Sequence, residues 1–342
     1  MEEVKLKLKL ITPAFCGGAI PETQAEIRAP SIRGQLRWWF RVLGGFKSLS
    51  GKSVKDQESL IFGSVSGTAR ASQLIVRVKS VGDSKLISKD IKDADGFNAR
   101  QNTEKGYLLF PLRGKGRACF NNTPNFELIL LWKGDKRLID DIKALGTVFG
   151  HLGSLGFRSR RAMGALAFVD NPPELNPALS HFATGNAVLI KQVTENQDNA
   201  DSCVNSLAKW LREWRSHGRK PHLSNGPGFK YAKADHDIGL GQNDQAAFRP
   251  AIGLPIIQRY SSMNKKNDWE ESKRKGEGRF ASPVILRPYM DAQGSWKALV
   301  IFIESMKWPT GKKVYLNGNP KDVSLELYEA MKKDTTLSLF QS

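Results

Sequence analysis

The 342 residues are 40% hydrophobic and 25% charged, the proportions of a folded chain long enough for two cores and not of a disordered one. The net charge is +18, and five segments (26–41, 111–117, 153–161, 209–233 and 259–279) between them carry all of it. Charge gathered in this way marks a surface for a polyanion, with a solvated basic face or an acidic protein partner as the bland alternative. Three cysteines, Cys16, Cys119 and Cys203, none of them close enough in sequence for a C-x-x-C pair, argue against a disulfide framework. Met1-Glu-Glu-Val-Lys lacks the apolar core of a leader, and no run reaches membrane-spanning length. The expectation is a cytoplasmic protein with no membrane partner.

Val4–Ile11 alternates leucine or valine with lysine, which predicts a half-buried strand stopped by Thr12-Pro13. Pro30-Ser31 opens a predicted helix, with Ser31 as its cap, running to Leu43 and ended by Gly44-Gly45. Strands are predicted at Leu74–Val81, Tyr107–Leu112 and Phe126–Trp132, with a polar loop over 83–106. A helix over Lys136–Phe149 precedes Gly153-Ser-Leu-Gly-Phe-Arg-Ser-Arg-Arg-Ala-Met-Gly164, and a strand follows at Ala165–Val169. The order is β-α-β-β-α-β, the ferredoxin-like arrangement. The proline-rich stretch 171–177 reads as a linker. Beyond it come a strand at Ala187–Val193, a helix at Ser202–Arg215, long basic loops over 216–250 and 258–279, strands at Val284–Arg287 and Ala298–Glu304, and a helix at Asp322–Lys332. The fold class expected is α+β, with an N-terminal domain over 1–170 and a second α+β domain over 178–342 carrying long basic insertions.

Two constellations stand out. On the first helix, Ile32, Leu36, Trp39, Phe40 and Leu43 share one arc, which is the core face, and Arg33, Arg37 and Arg41 form a stripe beside it. Like charges at this spacing repel, which a fold tolerates more easily if an anion such as RNA phosphate lies across the stripe; the alternative is a solvated basic face. Trp38 lies off the core arc, placed either to stack a base or to pack against a loop. The second constellation is the loop Gly153–Gly164. Its glycines permit positive φ and close backbone approach, and Arg158, Arg160 and Arg161 offer planar donors that suit phosphate. It is not a nucleoside-triphosphate loop, lacking the lysine and second-glycine spacing.

Chemistry beyond binding has weak candidates. None of His151, His181, His217, His222 and His236 belongs to a metal-ligand pattern, so no metal or cofactor is expected. Asp235-His-Asp237 reads as a solvated turn. His151, beside the glycine loop, is either the general base of a metal-independent RNA endonuclease or, more commonly for its position, a helix-end partner of the dipole. Trp210 and Trp214, four apart, anchor the Ser202–Arg215 helix. Arg215, Arg219, Lys220, Lys230 and Lys233 are candidates to line an RNA channel, and Lys265–Arg279 reads as unordered until a partner orders it.

Thr-Pro-x-Phe-x-Gly-Gly-Ala at Thr12–Ala19, Ile27–Arg41 with its Arg-Gly-x-Leu-Arg-Trp-Trp-Phe-Arg core, and the Gly153–Gly164 loop together resemble the RAMP superfamily of CRISPR proteins. Within it the similarity is to subunit one of the Cmr (type III-B) RNA-targeting complex, with looser echoes at Gly253–Pro255 and Gly278–Val284. The resemblance implies two ferredoxin-like (RRM/RAMP-type) domains facing each other and a non-catalytic role in antiviral defence. The chain would hold the 3′ part of the guide RNA and help capture target RNA beside a neighbouring RAMP subunit and other Cmr subunits, with no small-molecule substrate. By position, the implied RNA-binding residues are Ser31, Arg33, Arg37, Arg41, Gly153, Gly156, Arg158, Ser159, Arg160, Arg161 and Gly164.

Overall fold

The computed structural model describes residues 1–65, 69–100, 103–121, 123–185, 188–215, 225–260 and 265–341. In β1 (Glu2–Leu10) the alternation is realised: Val4, Leu6, Leu8 and Leu10 are buried, while Lys5 and Lys7 face water. Helix α1 (Ala29–Val42) buries Ile32, Leu36, Trp39, Phe40 and Val42. It starts two residues before the predicted cap. Arg28 occupies the cap position in extended conformation, Ile32 N donates to Arg28 O at 3.1 Å, and Ser31 lies inside the helix, exposed. Pro30 explains the shift, because the first turn needs no donor from it and its fixed φ already suits a helix. Gly44 and Gly45, at φ 76° and 75°, end the helix where the sequence places the stop.

Helix α2 (Val54–Phe62), capped by the Ser53 side chain on Asp56 N, leads to β2 (Leu74–Ser80). The strand predicted at Tyr107–Leu112 is instead α3 (Glu104–Leu109) continued by a tight turn, Phe110–Leu112. The reason is local: the Thr103 hydroxyl accepts from Gly106 N at 3.0 Å and Glu104 sits in the first turn, so the start is capped whatever the β-propensity of the apolar run. After it come β3 (Asn125–Trp132), α4 (Ile139–Leu152) and β4 (Leu166–Phe168). Within the linker-like stretch, α5 (Leu175–Ser180) forms with Leu175, Ala178 and Leu179 buried. The sheet order is β2-β3-β1-β4, with every pair antiparallel. Leu6 faces Leu128, Leu130 lies between Val4 and Val76, and Leu8 faces Phe168.

The later half brings β5 (Val188–Val193), α6 (Ala200–Arg215), α7 (Phe229–Leu240), β6 (Ile256–Tyr260), β7 (Lys265–Glu270), β8 (Val284–Met290), β9 (Trp296–Ile303), β10 (Val314–Leu316), β11 (Asn319–Lys321), α8 (Glu326–Lys332) and β12 (Leu337–Leu339). Two sheets result, β8-β9-β5-β12 and β6-β7-β10-β11. The first of these repeats the order of the N-terminal sheet: counted along its own strands, second, third, first, fourth, with a helix after the first and after the third.

The stretches read as long loops therefore hold α7, the turn Arg249–Ile252, β6 and β7. In Lys265–Arg279 the charges conceal two buried residues, Asn267 and Trp269, and Trp269 is placed opposite both Ile256 and Leu316 in the sheet. A polar strand is held there by one deeply buried aromatic. Lys265–Glu270 is thus a strand of the sheet, where the sequence suggested no regular structure, and 271–277 follow as bends and turns.

Contacts group residues 1–207, 286–301 and 338–342 into one compact unit and 208–285 and 302–337 into another. In the second unit Ile238, Leu254, Trp269, Trp308, Val314 and Leu316 form the core. Trp210 and Trp214 are buried there as anchors of α6, and both indole N–H groups donate to Asp334, at 2.7 and 2.6 Å. Asp235 is not in a solvated turn: it sits on α7, 1% exposed, and accepts from Phe248 N, Arg249 N and Arg249 Nε at 2.8–2.9 Å. Of the channel cations, Lys230 pairs with Glu326 and Lys233 with Asp237, while Arg219 and Lys220 lie outside the described residues, as do two of the histidines, His217 and His222. Among the described residues no helix is long and apolar enough to cross a membrane, and no cluster of metal-ligating side chains is found.

Candidate nucleic-acid interface

Gly153 ends α4 by donating to Phe149 O at 2.7 Å, and the chain then runs as a closed loop to β4. The loop is fastened along its length. Leu155 N donates to Gly164 O, Phe157 N to Phe15 O, Gly164 N to Pro13 O, and Ala162 N to Leu286 O, all at 2.8–3.0 Å. Leu286 N returns a bond to Arg160 O at 3.2 Å. A role for main-chain amides in holding phosphate is thereby confined to the turn Gly156–Arg160.

The two inner glycines answer to geometry. At Gly164, φ 65°, an added Cβ would stand 1.9 Å from Leu155 O; at Gly156, φ 83°, it would stand 2.6 Å from the Phe15 carbonyl. Both need positive φ and close approach at once. Gly153 and Gly164 are buried, so they shape the loop rather than face a ligand. Arg158 and Ala162 also adopt positive φ, 64° and 69°, a conformation that costs a side-chain-bearing residue about 1 kcal/mol and that clusters at functional sites.

The three loop arginines separate. Arg161 is 7% exposed and donates to Arg160 O at 2.9 Å, a structural use. Arg160 lies with its guanidinium 4.8 Å from the centre of the Trp38 ring, and burial pulls its pKa down. Trp38 thus packs against the loop, with its edge also on Trp39. Arg158 and Ser159 are half-buried on the turn.

The arginine stripe of α1 finds its anion inside the chain. Arg37 Nε donates to Glu58 of α2, Arg41 Nε stands 3.8 Å from the other Glu58 oxygen, and Arg33 donates to Phe62 O at the carboxyl end of α2. The stripe therefore couples α1 to α2, with Arg33 and Arg37 engaged there and Arg41 half-exposed. The sequence reading set an RNA phosphate across this stripe; in the fold the carboxylate of Glu58 stands there.

The residue that sequence reasoning missed is Arg287. It is 0% exposed and donates to Gly153 O at 3.2 and 3.1 Å, Leu166 O at 2.6 Å, Gly150 O at 3.4 Å and Pro288 O at 3.1 Å. Burial pushes its pKa down to about 9, which still leaves it charged at neutral pH. It holds the end of α4 and the start of β4, the two feet of the glycine loop. The available signal was a lone arginine in the otherwise apolar strand Val284–Met290.

His151 is 4% exposed, with Nε2 at 2.6 Å from Pro173 O and Nδ1 at 3.1 Å from Tyr289 Oη. A carbonyl can only accept, so Nε2 carries the proton and Nδ1 accepts from the tyrosine. Both nitrogens are spent. His151 lines a cleft of about 650 Å³ with both ring nitrogens hydrogen-bonded, so a general-base role would require breaking the bond to Tyr289, and the neutral ring adds no charge to the helix dipole. Burial, with Arg287 adding to it, lowers the His151 pKa to about 4. The neutral ring's contribution is fully present above about pH 6.5 and is lost as the pH falls to about 4, because the unfolded chain takes up the proton first; the shift corresponds to roughly 3 kcal/mol. Urea midpoints of wild type should drop steeply over that window and those of His151→Gln much less; parallel curves would remove His151 as the cause.

The RAMP superfamily model matches residues 7–167. Two Pyrococcus furiosus proteins are similar in sequence. CRISPR system Cmr subunit Cmr1-2 is 30% identical over 182 residues, 48% of this chain and 95% of that protein. Cmr subunit Cmr1-1 is 27% identical over 172 residues, and the match spans 47% of its length. The chain belongs to the RAMP superfamily, among its Cmr1 subunits. The crystal structure of apo Cmr1 from Pyrococcus furiosus shares the fold, with TM-score 0.57 at 18% identity over 99% of this chain and 98% of that one.

Proposed function

We propose that the chain is a non-catalytic RNA-binding subunit of a CRISPR type III-B Cmr effector complex. It sits at the end holding the 3′ part of the guide RNA and helps capture target RNA, in the cytoplasm, beside a neighbouring RAMP subunit. The observation that carries this reading is the turn Gly156–Arg160: a rigidly fastened, partly exposed backbone with positive φ at Gly156 and Arg158, two arginines, and no acidic residue anywhere in 153–164. The names of the two similar Pyrococcus proteins supply the complex. Two ferredoxin-like domains belong to the same reading and are supported by the shared second-third-first-fourth strand order of two sheets.

Contacts to phosphate position an RNA without reading its sequence. The logarithm of affinity for single-stranded RNA should therefore fall linearly with the logarithm of salt concentration, by about 0.7 per phosphate neutralised, and differ little between sequences of equal length. Fluorescence anisotropy across a salt series measures this. A flat response, or strong dependence on sequence, would count decisively against the proposal.

A further inference from the structure

Phe157 is 37% exposed at the tip of a loop whose neighbours are arginines. Its position is not slack. Its amide is bonded to Phe15 O, and Gly156 and Arg158 on either side both adopt positive φ, so the backbone presents the ring in one direction. The guanidinium of Arg117 lies 5.1 Å from the ring centre. Arg117 is itself placed by a short ladder in which Arg117-Ala118 pairs with Ile91-Lys92. The same device recurs four residues earlier, where Arg113 lies 5.6 Å from the ring centre of Phe110, which is 64% exposed. Two exposed phenylalanines are each covered by an arginine of the basic segment 111–117.

With 37% of Phe157 still exposed, roughly a third of the 1.5–3 kcal/mol of full burial, about 0.5–1 kcal/mol, is forgone unless something covers the face that Arg117 leaves open. The cover has to tolerate dense positive charge, which favours an aromatic ring carried on a phosphate chain over an apolar protein surface. From this, and resting on the RNA-binding reading above, the geometry points to Phe157 as a stacking seat for an unpaired RNA base, with Arg117 as the positioning residue that holds the ring. The base lies on the part of the ring that the guanidinium leaves open, while Arg158 and Arg160 engage the flanking backbone. Stacking of this kind is indifferent to base identity, because every base has a π-face.

The test compares a single-stranded oligouridylate with an abasic ribose-phosphate oligomer of equal length, both against the full chain. Phe157→Ala should weaken oligouridylate binding about tenfold, leave the salt slope unchanged and leave the abasic oligomer unaffected. Phe157→Trp, which keeps an aromatic face, should bind oligouridylate as wild type does. Thermal unfolding of each variant confirms that it folds. If Phe157→Ala weakens both oligomers equally, its role is structural; if it weakens neither, the ring serves a protein contact. Either result overturns the stacking seat while leaving the backbone reading intact. If wild type binds neither oligomer in a salt-dependent way, both fall.

Discussion

Arg287→Ala is expected to destabilise the protein by about 3–5 kcal/mol, a large share of the 5–15 kcal/mol typical of a folded domain. Arg287 is fully buried, and its guanidinium supplies donors to four carbonyls, of Gly150, Gly153, Leu166 and Pro288. Alanine removes all of these donors and leaves a cavity the size of the side chain. A buried charge is itself costly, so an apolar residue of similar size recovers that desolvation. It does not restore the guanidinium's donors, and each carbonyl left unsatisfied costs about 1–3 kcal/mol. Arg287→Met should therefore lie close to alanine, and Arg287→Lys between alanine and wild type. Urea denaturation measures the order; an alanine variant within about 1 kcal/mol of wild type would contradict this account. Because the carbonyls belong to the end of α4 and the start of β4, amide exchange in 153–164 should rise in the same variants, ahead of the rest of the unit.

Arg158→Ala with Arg160→Ala is expected to weaken single-stranded RNA binding by at least about tenfold and to lower the salt slope by up to about 1.4, two phosphates' worth. The choice of pair follows from the structure. Arg161 is buried and bonded to Arg160 O, so removing it disturbs the loop and confounds any loss of binding. Arg37→Ala is the contrasting control. It strips the buried Glu58 of its closest cation, so it should cost stability, on the order of 1–3 kcal/mol, and leave the salt slope unchanged. A double variant that binds RNA with the wild-type slope, or an Arg37 variant that loses slope without losing stability, would reverse the assignment of these arginines.

Where periodicity was regular, the sequence sufficed. Leucine and lysine alternating in β1, and the apolar arc of α1, were assigned correctly because local geometry alone sorts such residues to one face. It failed where a single cap or a single buried aromatic outweighed propensity. Thr103 turned Tyr107–Leu112 into helix, and Trp269 holds a strand in a segment whose charges suggested none. The candidate site divided in the same way. Gly156 and Gly164 were legible, since positive φ leaves few alternatives to glycine. Arg37 and Arg161 were legible only as cations, because whether a cation faces solvent or a carboxylate depends on partners distant in the chain.

By itself the sequence determined the composition of the interface: a basic, glycine-bearing loop between a helix and a strand, and a family resemblance resting on that loop and α1. Only the tertiary structure decided which of those charges are spent on partners distant in the chain. Glu58 lies 21 residues from Arg37, and Arg287 lies 134 residues from the glycine whose carbonyl it holds. Pairings at such separations are set by the closing of the chain on its cores, and no local pattern encodes them. That closing assigns Arg37, Arg161 and Arg287 to holding the fold and leaves Gly156 and Phe157 exposed at the turn, with Arg158, Ser159 and Arg160 half-buried beside them.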